Sequence, residues 1–153
     1  MKKDREKFLS SIYLIIKNNE GKILLQRRQG SKLWRGFLAL PAGHLDVGED
    51  AYEAAIREAK EELDINITVD NISDVFVVNR KNKSLLPYYD VYFELNGYNG
   101  EIKINEPNKC SELVWSNIKS LPEDMIEFEK IALNNYLNGI KFSTIYVDNE
   151  ENK

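Results

Sequence analysis

Three glutamates near the middle of the chain have a spacing that would place them on one face of a helix. Glu58, Glu61 and Glu62 stand at positions i, i+3 and i+4, which are neighbours on a helical surface. Carboxylates at this spacing repel one another, so an ordinary solvated helix gains nothing from collecting them. A divalent cation explains the cluster, because Mg²⁺ and Mn²⁺ bind carboxylate oxygens and keep waters and substrate phosphates as further ligands. The spacing therefore predicts a metal-dependent phosphoanhydride hydrolase.

The residues before and after this cluster extend the pattern. Gly43 is followed six positions later by Glu49, and Arg57 directly precedes the first glutamate of the cluster. The run resembles the Nudix box, G-x5-E-x7-R-E-U-x-E-E-x-G-U, in which U is a bulky aliphatic residue. The chain matches this pattern at Gly43, Glu49, Arg57, Glu58, Glu61, Glu62 and Ile65, with the smaller Ala59 at one aliphatic position.

The one plain departure from the family pattern is Asp64, which stands where the box usually has glycine. The position is typical of a helix C-terminus in the left-handed conformation, and Asp is among the few other residues tolerated there. We expect a modest cost in stability and no effect on the metal ligands. The alternative, a solvated surface helix rich in Glu and Lys, does not explain the full spacing.

The resemblance implies a metal site and a catalytic base. In similar proteins the glutamate of Arg-Glu and the closing Glu-Glu pair supply metal ligands or the base that activates water. Carried over to this chain, Glu61 or Glu62 are the principal ligands and Glu58 is a ligand or the base. A backbone carbonyl near the box glycine is also a ligand in such proteins, which adds Gly43. The expected cofactor is Mg²⁺ or Mn²⁺.

Arg57 and Glu49 complete the predicted catalytic set. Arginine is charged at neutral pH, and its planar guanidinium can grip two acceptors. We expect Arg57 to pair with Glu49, to hold the loop against the helix and so to orient the carboxylates. Direct contact with substrate is the alternative role of Arg57.

Aromatic and basic side chains are candidates for substrate binding. Trp34 precedes the catalytic loop and Tyr88 begins a predicted strand across the cleft, and such rings can stack on a nucleobase. Arg28 belongs to a local basic patch. His44, the only histidine, is expected to orient a substrate phosphate, because Mg²⁺ prefers oxygen ligands.

Two later acidic residues are candidates for a further site contact. In some similar proteins an additional acidic residue from this region reaches the metal. Either Glu106 or Glu112 can be that residue, and simple surface exposure is the alternative for each. Cys110, the single cysteine, is interpreted as a structural residue, because no Cys-His pair accompanies it.

Composition limits the class of protein. The chain has 153 residues and a net charge of −4, which predicts one domain over residues 1–153 with a core at about 8–140. The acidic balance disfavours nucleic acid as a partner. The family resemblance implies a small-molecule nucleotide as substrate, and we expect a monomer or homodimer. A single cysteine, a charged start and the lack of a long apolar run predict a cytoplasmic protein without membrane contact.

The pattern of apolar residues predicts an α/β fold. Strands are predicted over residues 8–17, 22–27, 37–40, 67–69, 74–80, 88–95 and 112–115, and helices over 50–63 and 122–138. The turn at 18–21 would make the first two strands a hairpin. Two helices among these strands indicate a mixed β-sheet with a helix on each face, and the resemblance implies the same α/β/α sandwich.

Several functions are compatible with the box. A nucleoside triphosphate pyrophosphohydrolase, similar to MutT-type enzymes, is the first choice. Hydrolysis of ADP-ribose, dinucleoside polyphosphates or sugar nucleotides stays open, although the proline typical of ADP-ribose hydrolases about sixteen residues past the box is absent. A non-catalytic nucleotide-binding module usually loses box glutamates, and all are present here. The acidic charge disfavours action on the 5′ end of a nucleic acid.

Overall fold

A computed structural model describes residues 3–83 and 86–147 and contains two β-sheets. The strands are β1 (Leu9–Ile16), β2 (Ile23–Arg28), β3 (Leu38–Ala39), β4 (Ala42–His44), β5 (Ile72–Asn82), β6 (Tyr88–Leu95), β7 (Cys110–Ser116) and β8 (Phe142–Val147). The helices are α1 (Ala51–Leu63) and α2 (Glu127–Leu137). One sheet is mixed, in the order β4-β1-β6-β5-β8, and the other is antiparallel, in the order β3-β2-β7. Within the described residues, neither helix has the length and apolar character of a membrane span.

The mixed sheet is covered by one helix on each face, which confirms the predicted α/β/α arrangement. Ile12, Leu14 and Ile16 of β1 pack in the core cluster of α1, whereas Tyr13 and Ile15 belong to the cluster of α2. A strand buried on both faces is expected to be a continuous apolar run rather than an alternating one, as β1 is. This central strand places the two helices on opposite sides of the sheet.

α1 is defined at both ends by its own side chains. Asp50 and Glu53 form a reciprocal capping box at its N-terminus, with backbone-to-carboxylate distances of 3.0 and 2.8 Å. At its C-terminus, Asp64 is left-handed (φ 56°, ψ 35°), as predicted from its place in the box. Ion pairs of 2.8 Å with Lys60 and 3.1 Å with Lys103 hold it there. The departure from glycine is thus accommodated by local charges.

Two predictions about the first half of the chain were wrong. β1 and β2 are not partner strands of a hairpin, because β1 has β4 on one edge and β6 on the other. Among the described residues, one antiparallel β-bridge, between Lys17 and Ile23, joins the end of β1 to the start of β2. Residues 67–69 do not form a strand, and a 3₁₀ turn covers Val69–Asn71. Its Asn71 side chain accepts the Thr68 N–H at 2.9 Å, which favours the turn.

The second helix begins later than predicted. Residues 122–125 were expected to be helical, but α2 starts at Glu127. The preceding segment pairs with β3 instead, since the Leu38 N–H donates to the Asp124 carbonyl at 2.8 Å and the Leu38 carbonyl accepts from the Ile126 N–H at 2.9 Å.

β4 and β8 were not predicted. β4 is three residues long and contains glycine, so it carries little pattern.

Candidate active site

A cleft of about 740 Å³ is lined by residues of both sheets and both helices. It brings together Gly43, His44, Glu58, Glu62, Arg28, Trp34, Tyr88 and Glu106, eight of the residues predicted from sequence. Glu49, Arg57, Glu61 and Glu112 are not part of its wall. The cleft therefore gathers most of the candidate metal and substrate residues from distant parts of the chain.

Gly43 of β4 lies directly against the carboxylate of Glu58 on α1. A Cβ added to this glycine would stand 2.1 Å from Glu58 Oε1 and 2.2 Å from its Cδ, so the Glu58 carboxylate would have to move from its observed position. The Glu58 side chain is 12% exposed. Burial raises the pKa of Glu58, the guanidinium of Arg57 opposes this, and the carboxylates of Glu61 and Glu106 add to the rise. The observed position of the Glu58 carboxylate is thus compatible with glycine and not with a larger residue at position 43.

Glu62 presents a buried carboxylate oxygen that has no hydrogen-bond partner. Its Oε2 is inaccessible to solvent and has no hydrogen-bond partner within the described structure. Burial and the neighbouring carboxylates of Glu58 and Glu106 raise the pKa of Glu62 well above its ordinary value. Like charges held together in this way are stabilised by an added cation.

The carboxylates fit a Mg²⁺-type ion better than a metal that needs a complete protein cage. Among the described residues, no three acidic, histidine or cysteine side chains are arranged as a finished metal site. Mg²⁺ usually binds through one or two carboxylates, with waters and substrate phosphates as the other ligands. Glu58 and Glu62, with the orphaned oxygen of Glu62, match this requirement.

Arg57 connects the loop before α1 to the carboxylates on α1. Its guanidinium binds both oxygens of Glu49, with Nη2–Oε1 at 2.6 Å and Nε–Oε2 at 3.0 Å. It also donates to Glu58 Oε1 at 2.7 Å, to Glu61 Oε2 at 3.1 Å and to the His44 carbonyl at 2.9 Å. The hydrogen bonds that Glu49 accepts from Arg57 and from the Asp46 N–H lower the pKa of Glu49 to about 2. The pairing of Arg57 with Glu49 expected from sequence is present in the structure.

The two alternatives for a later acidic residue are placed differently. Glu106 lines the cleft. Glu112 lies on β7, where its carboxylate is 2.5 Å from Arg27 Nε and half exposed. Glu61 is also half exposed and is held by Arg57 outside the cleft wall. The geometry therefore favours Glu106 over Glu112 as an additional site residue.

A model of the NUDIX domain family matches residues 7–136. The chain belongs to the Nudix family. It is accordingly a hydrolase of the pyrophosphatase type that acts on nucleotides, and hydrolases of this family generally use divalent metal ions.

Individual relatives carry different activities in their names. A Bacillus subtilis (strain 168) protein provisionally named 8-oxo-dGTP diphosphatase is 26% identical over 132 residues, which covers 86% of this chain and 82% of the relative. An ADP-ribose pyrophosphatase from Methanocaldococcus jannaschii is 30% identical over 113 residues, 73% of this chain and 64% of the relative. The crystal structure of a MutT NUDIX hydrolase from Burkholderia pseudomallei has a TM-score of 0.71 at 25% identity, covering 84% of this chain and 98% of that chain.

A second set of contacts in this Nudix cleft was not predicted from sequence. His44 Nε2 is 2.9 Å from the Tyr88 hydroxyl, and the Arg80 guanidinium stands 3.9 Å from the centre of the Tyr88 ring. Arg80 is paired with the fully buried Asp90 at 2.7 Å. Burial raises the pKa of Asp90, although Arg80 opposes the shift. The pair fixes Tyr88, and Tyr88 in turn holds the imidazole that follows the box glycine.

Glu129 of α2 is the other cleft residue that sequence reasoning missed. It is 2% exposed, lines the cleft and accepts the Leu40 N–H at 2.8 Å. Burial raises the pKa of Glu129 to about 8. A signal was available, because Glu129 stands three and four positions before Ala132 and Leu133, within the apolar stripe of the helix. A charged residue in such a stripe indicates either a buried hydrogen-bond partner or a functional site.

Proposed function

We propose that this Nudix enzyme is a nucleoside triphosphate pyrophosphohydrolase that uses Mg²⁺ or Mn²⁺ and releases a nucleoside monophosphate and pyrophosphate. The observation that carries the proposal is the pair Glu58 and Glu62, which stand one helical turn apart on α1, are largely shielded from solvent and both line a nucleotide-sized cleft. A volume of about 740 Å³ lies within the range of roughly 300–1,000 Å³ that small-molecule sites occupy. The relative provisionally named 8-oxo-dGTP diphosphatase supports a triphosphate substrate.

The residues divide the work of hydrolysis between them. Glu62 and Glu58 would hold a metal ion together with the carbonyl of Gly43, and the carboxylates of Glu61 and Glu106 add negative charge near Glu58. When bound there, the ion would supply positive charge to neutralise the phosphate oxygens during attack by water. Glu58, oriented by the 2.7 Å bond from Arg57, serves as a ligand or takes the proton of the attacking water.

The other predicted residues act on the substrate or position the catalytic groups. His44, held by Tyr88, is placed to orient a phosphate, and Arg28 to balance its charge. Trp34 lines the cleft beside Phe128, where a base can pack. Glu112 contributes through its ion pair with Arg27 and not through the substrate.

The proposal is tested by measuring which compounds the enzyme hydrolyses and where water attacks. The panel consists of standard and oxidised nucleoside triphosphates, ADP-ribose, diadenosine polyphosphates and capped RNA, each with Mg²⁺ and with Mn²⁺. The expected products from a triphosphate are the monophosphate and pyrophosphate, with one ¹⁸O from labelled water in one of them. Release of orthophosphate as the first product, or turnover of ADP-ribose alone, would contradict the proposal.

A matched pair of variants separates catalysis from general surface charge. Glu62→Gln should lower turnover by orders of magnitude, because it removes a charge that holds the metal. Glu101→Gln makes the same change at an exposed position and should leave turnover unchanged. Equal activity of the two variants at saturating Mg²⁺ would show that Glu62 is not a metal ligand.

A further inference from the structure

His44 is held in place through both its backbone and its ring. Its carbonyl accepts a hydrogen bond from Arg57 Nη2 at 2.9 Å, and β4 places the residue opposite Ser11 of β1. Its ring Nε2 is 2.9 Å from the Tyr88 hydroxyl, and the two ring centroids are 5.6 Å apart. Because His44 and Tyr88 both line the cleft, the imidazole has a fixed orientation at the cleft wall.

The Tyr88 ring is itself held by a buried cation. The Arg80 guanidinium lies 3.9 Å from the centre of the Tyr88 ring and 4.4 Å from the centre of the Phe128 ring. Two hydrogen bonds to the buried Asp90, at 2.7 and 3.2 Å, fix the guanidinium. A desolvated cation is attracted strongly to an aromatic face. Rotation of Tyr88 away from His44 would therefore break a favourable contact.

The hydrogen bond between Tyr88 and His44 can run in two directions. A neutral imidazole has one N–H and one acceptor nitrogen, and a phenol hydroxyl can donate or accept. The positive charge of Arg80 over the Tyr88 ring draws electron density from the hydroxyl oxygen, which makes the hydroxyl a better donor and a poorer acceptor. Donation to Nε2 leaves the imidazole proton on Nδ1, because the hydrogen bond at one ring nitrogen sets which nitrogen is protonated.

The Nδ1 side of the imidazole is available to a ligand. His44 is exposed, and within the described part of the chain its ring makes one hydrogen bond, at Nε2. The preceding residue, Gly43, lies against the Glu58 carboxylate, so His44 stands beside the predicted metal end of the cleft. Phosphate oxygens bound there are hydrogen-bond acceptors. An Nδ1–H can donate to them, whereas an unprotonated Nδ1 would repel them.

We propose that Tyr88 is a positioning residue that holds His44 in the Nδ1–H form, and that this N–H binds a phosphate oxygen of the substrate. Both partners are already oriented, so little conformational freedom is lost when the phosphate binds. The inference assigns Tyr88 a role different from the base stacking predicted from sequence. It rests on the proposed function, because it names a contact to the phosphates of the nucleotide.

The first test reads the protonated nitrogen directly by ¹⁵N NMR of the labelled protein. His44 is the only histidine, so its ring nitrogens give the only imidazole signals. At alkaline pH, where histidine is neutral, Nδ1 should be the protonated nitrogen in the wild-type protein. A protonated Nε2 would overturn the proposal.

A matched pair of variants shows whether the Tyr88 hydroxyl is responsible. Tyr88→Phe removes the hydroxyl but keeps the ring, and should shift the imidazole toward the Nε2–H form, which histidine side chains favour in water. Tyr89→Phe makes the same change at the next residue, whose ring packs on Phe8, and should leave both imidazole signals unchanged. Wild-type imidazole signals in Tyr88→Phe would refute the positioning role.

The second test concerns the phosphate contact and uses inorganic pyrophosphate with Mg²⁺. The side-chain amide nitrogen of asparagine ends near the place of histidine Nδ1, whereas that of glutamine reaches the place of Nε2. By calorimetry, His44→Asn should bind pyrophosphate within about threefold of wild type and His44→Gln about tenfold more weakly, as expected for one lost hydrogen bond to a charged group. Equal affinities of the two variants, or a wild-type Nδ1 signal that pyrophosphate does not shift, would overturn the phosphate contact.

The outcome is separable from that of the proposed function. The NMR and calorimetric measurements involve no hydrolysis, so they can succeed even if no nucleoside triphosphate is cleaved. Conversely, triphosphate hydrolysis with the same KM in His44→Asn and His44→Gln would retain the proposed function and refute the role of Nδ1–H.

Discussion

Replacing Glu129 by glutamine should stabilise the protein, and the gain should grow with pH. The carboxyl is fully buried on α2 and accepts a single described hydrogen bond, from the Leu40 N–H. Burial raises its pKa from 4.5 to about 8. The folded state therefore holds this proton more tightly than the unfolded chain, so the free energy of unfolding falls as pH rises from the unfolded to the folded pKa. Glutamine keeps the acceptor and has no proton to lose.

The size of the effect follows from the two pKa values. A difference of one in pKa corresponds to 1.36 kcal/mol. The raised pKa of Glu129 therefore lowers the free energy of unfolding of wild type by on the order of 1 kcal/mol at pH 5 and 4 kcal/mol at pH 8. For a chain of this size, 1 kcal/mol shifts Tm by about 2–4 °C. The Tm advantage of Glu129→Gln should thus increase by about 10 °C between these two pH values.

The assay is thermal unfolding followed by circular dichroism at pH 5 and pH 8 without added metal. Glu127→Gln, at an exposed position of the same helix, is the control and should track wild type at both values. Other titrating groups, including Asp90, are common to all three proteins, so their effects cancel in the comparison. A Tm difference that does not change with pH, or that falls as pH rises, would refute the view that burial keeps Glu129 neutral.

Three further substitutions test the catalytic end of the cleft. Arg57→Lys keeps the charge but loses the bidentate hydrogen bond to Glu49, so kcat should fall about 10–100-fold with little change in KM. Steady-state kinetics of Arg57→Lys, of Glu49→Gln and of the double variant should show that the two losses are less than additive. Gly43→Ala forces a methyl group into Glu58, so turnover should fall and unfolding should cost about 1–3 kcal/mol less; a variant with wild-type kinetics and Tm would contradict the close approach. Glu62→Gln should raise Tm in the presence of a chelator by removing like-charge repulsion, and should weaken the stabilisation of the protein by Mg²⁺.

The parts of the molecule that were predictable from sequence are those fixed by local pattern. α1 was placed within one residue, because its cap, its buried alanines and its left-handed end at Asp64 all lie within the segment itself. β6 was located at its observed bounds, since alternating residues and a following turn cluster define it. The relation of Arg57 to Glu49 was also predictable, because the box encodes both residues at a fixed separation.

The parts that were not predictable depend on partners distant in the chain. The expected hairpin of β1 and β2 fails because strand pairing is decided by which edges compete, and β4 and β6 occupy both edges of β1. The start of α2 moves because β3 captures the residues before it. Glu129 and the pair of Arg80 with Asp90 become site residues only through burial, which a single sequence does not state.

The parallel pairing of β1 with β6 also bears on how the enzyme acquires its activity during folding. Leu9 lies opposite Tyr88, so the chain between them must close before the central strands meet, and such long-range closure slows folding. α1 carries its own caps and can form early, but its carboxylates face a cleft only once β4, β1 and β6 lie side by side. Refolding followed in real time should therefore show helical signal ahead of recovered turnover, with the nonlocal sheet as the slow step.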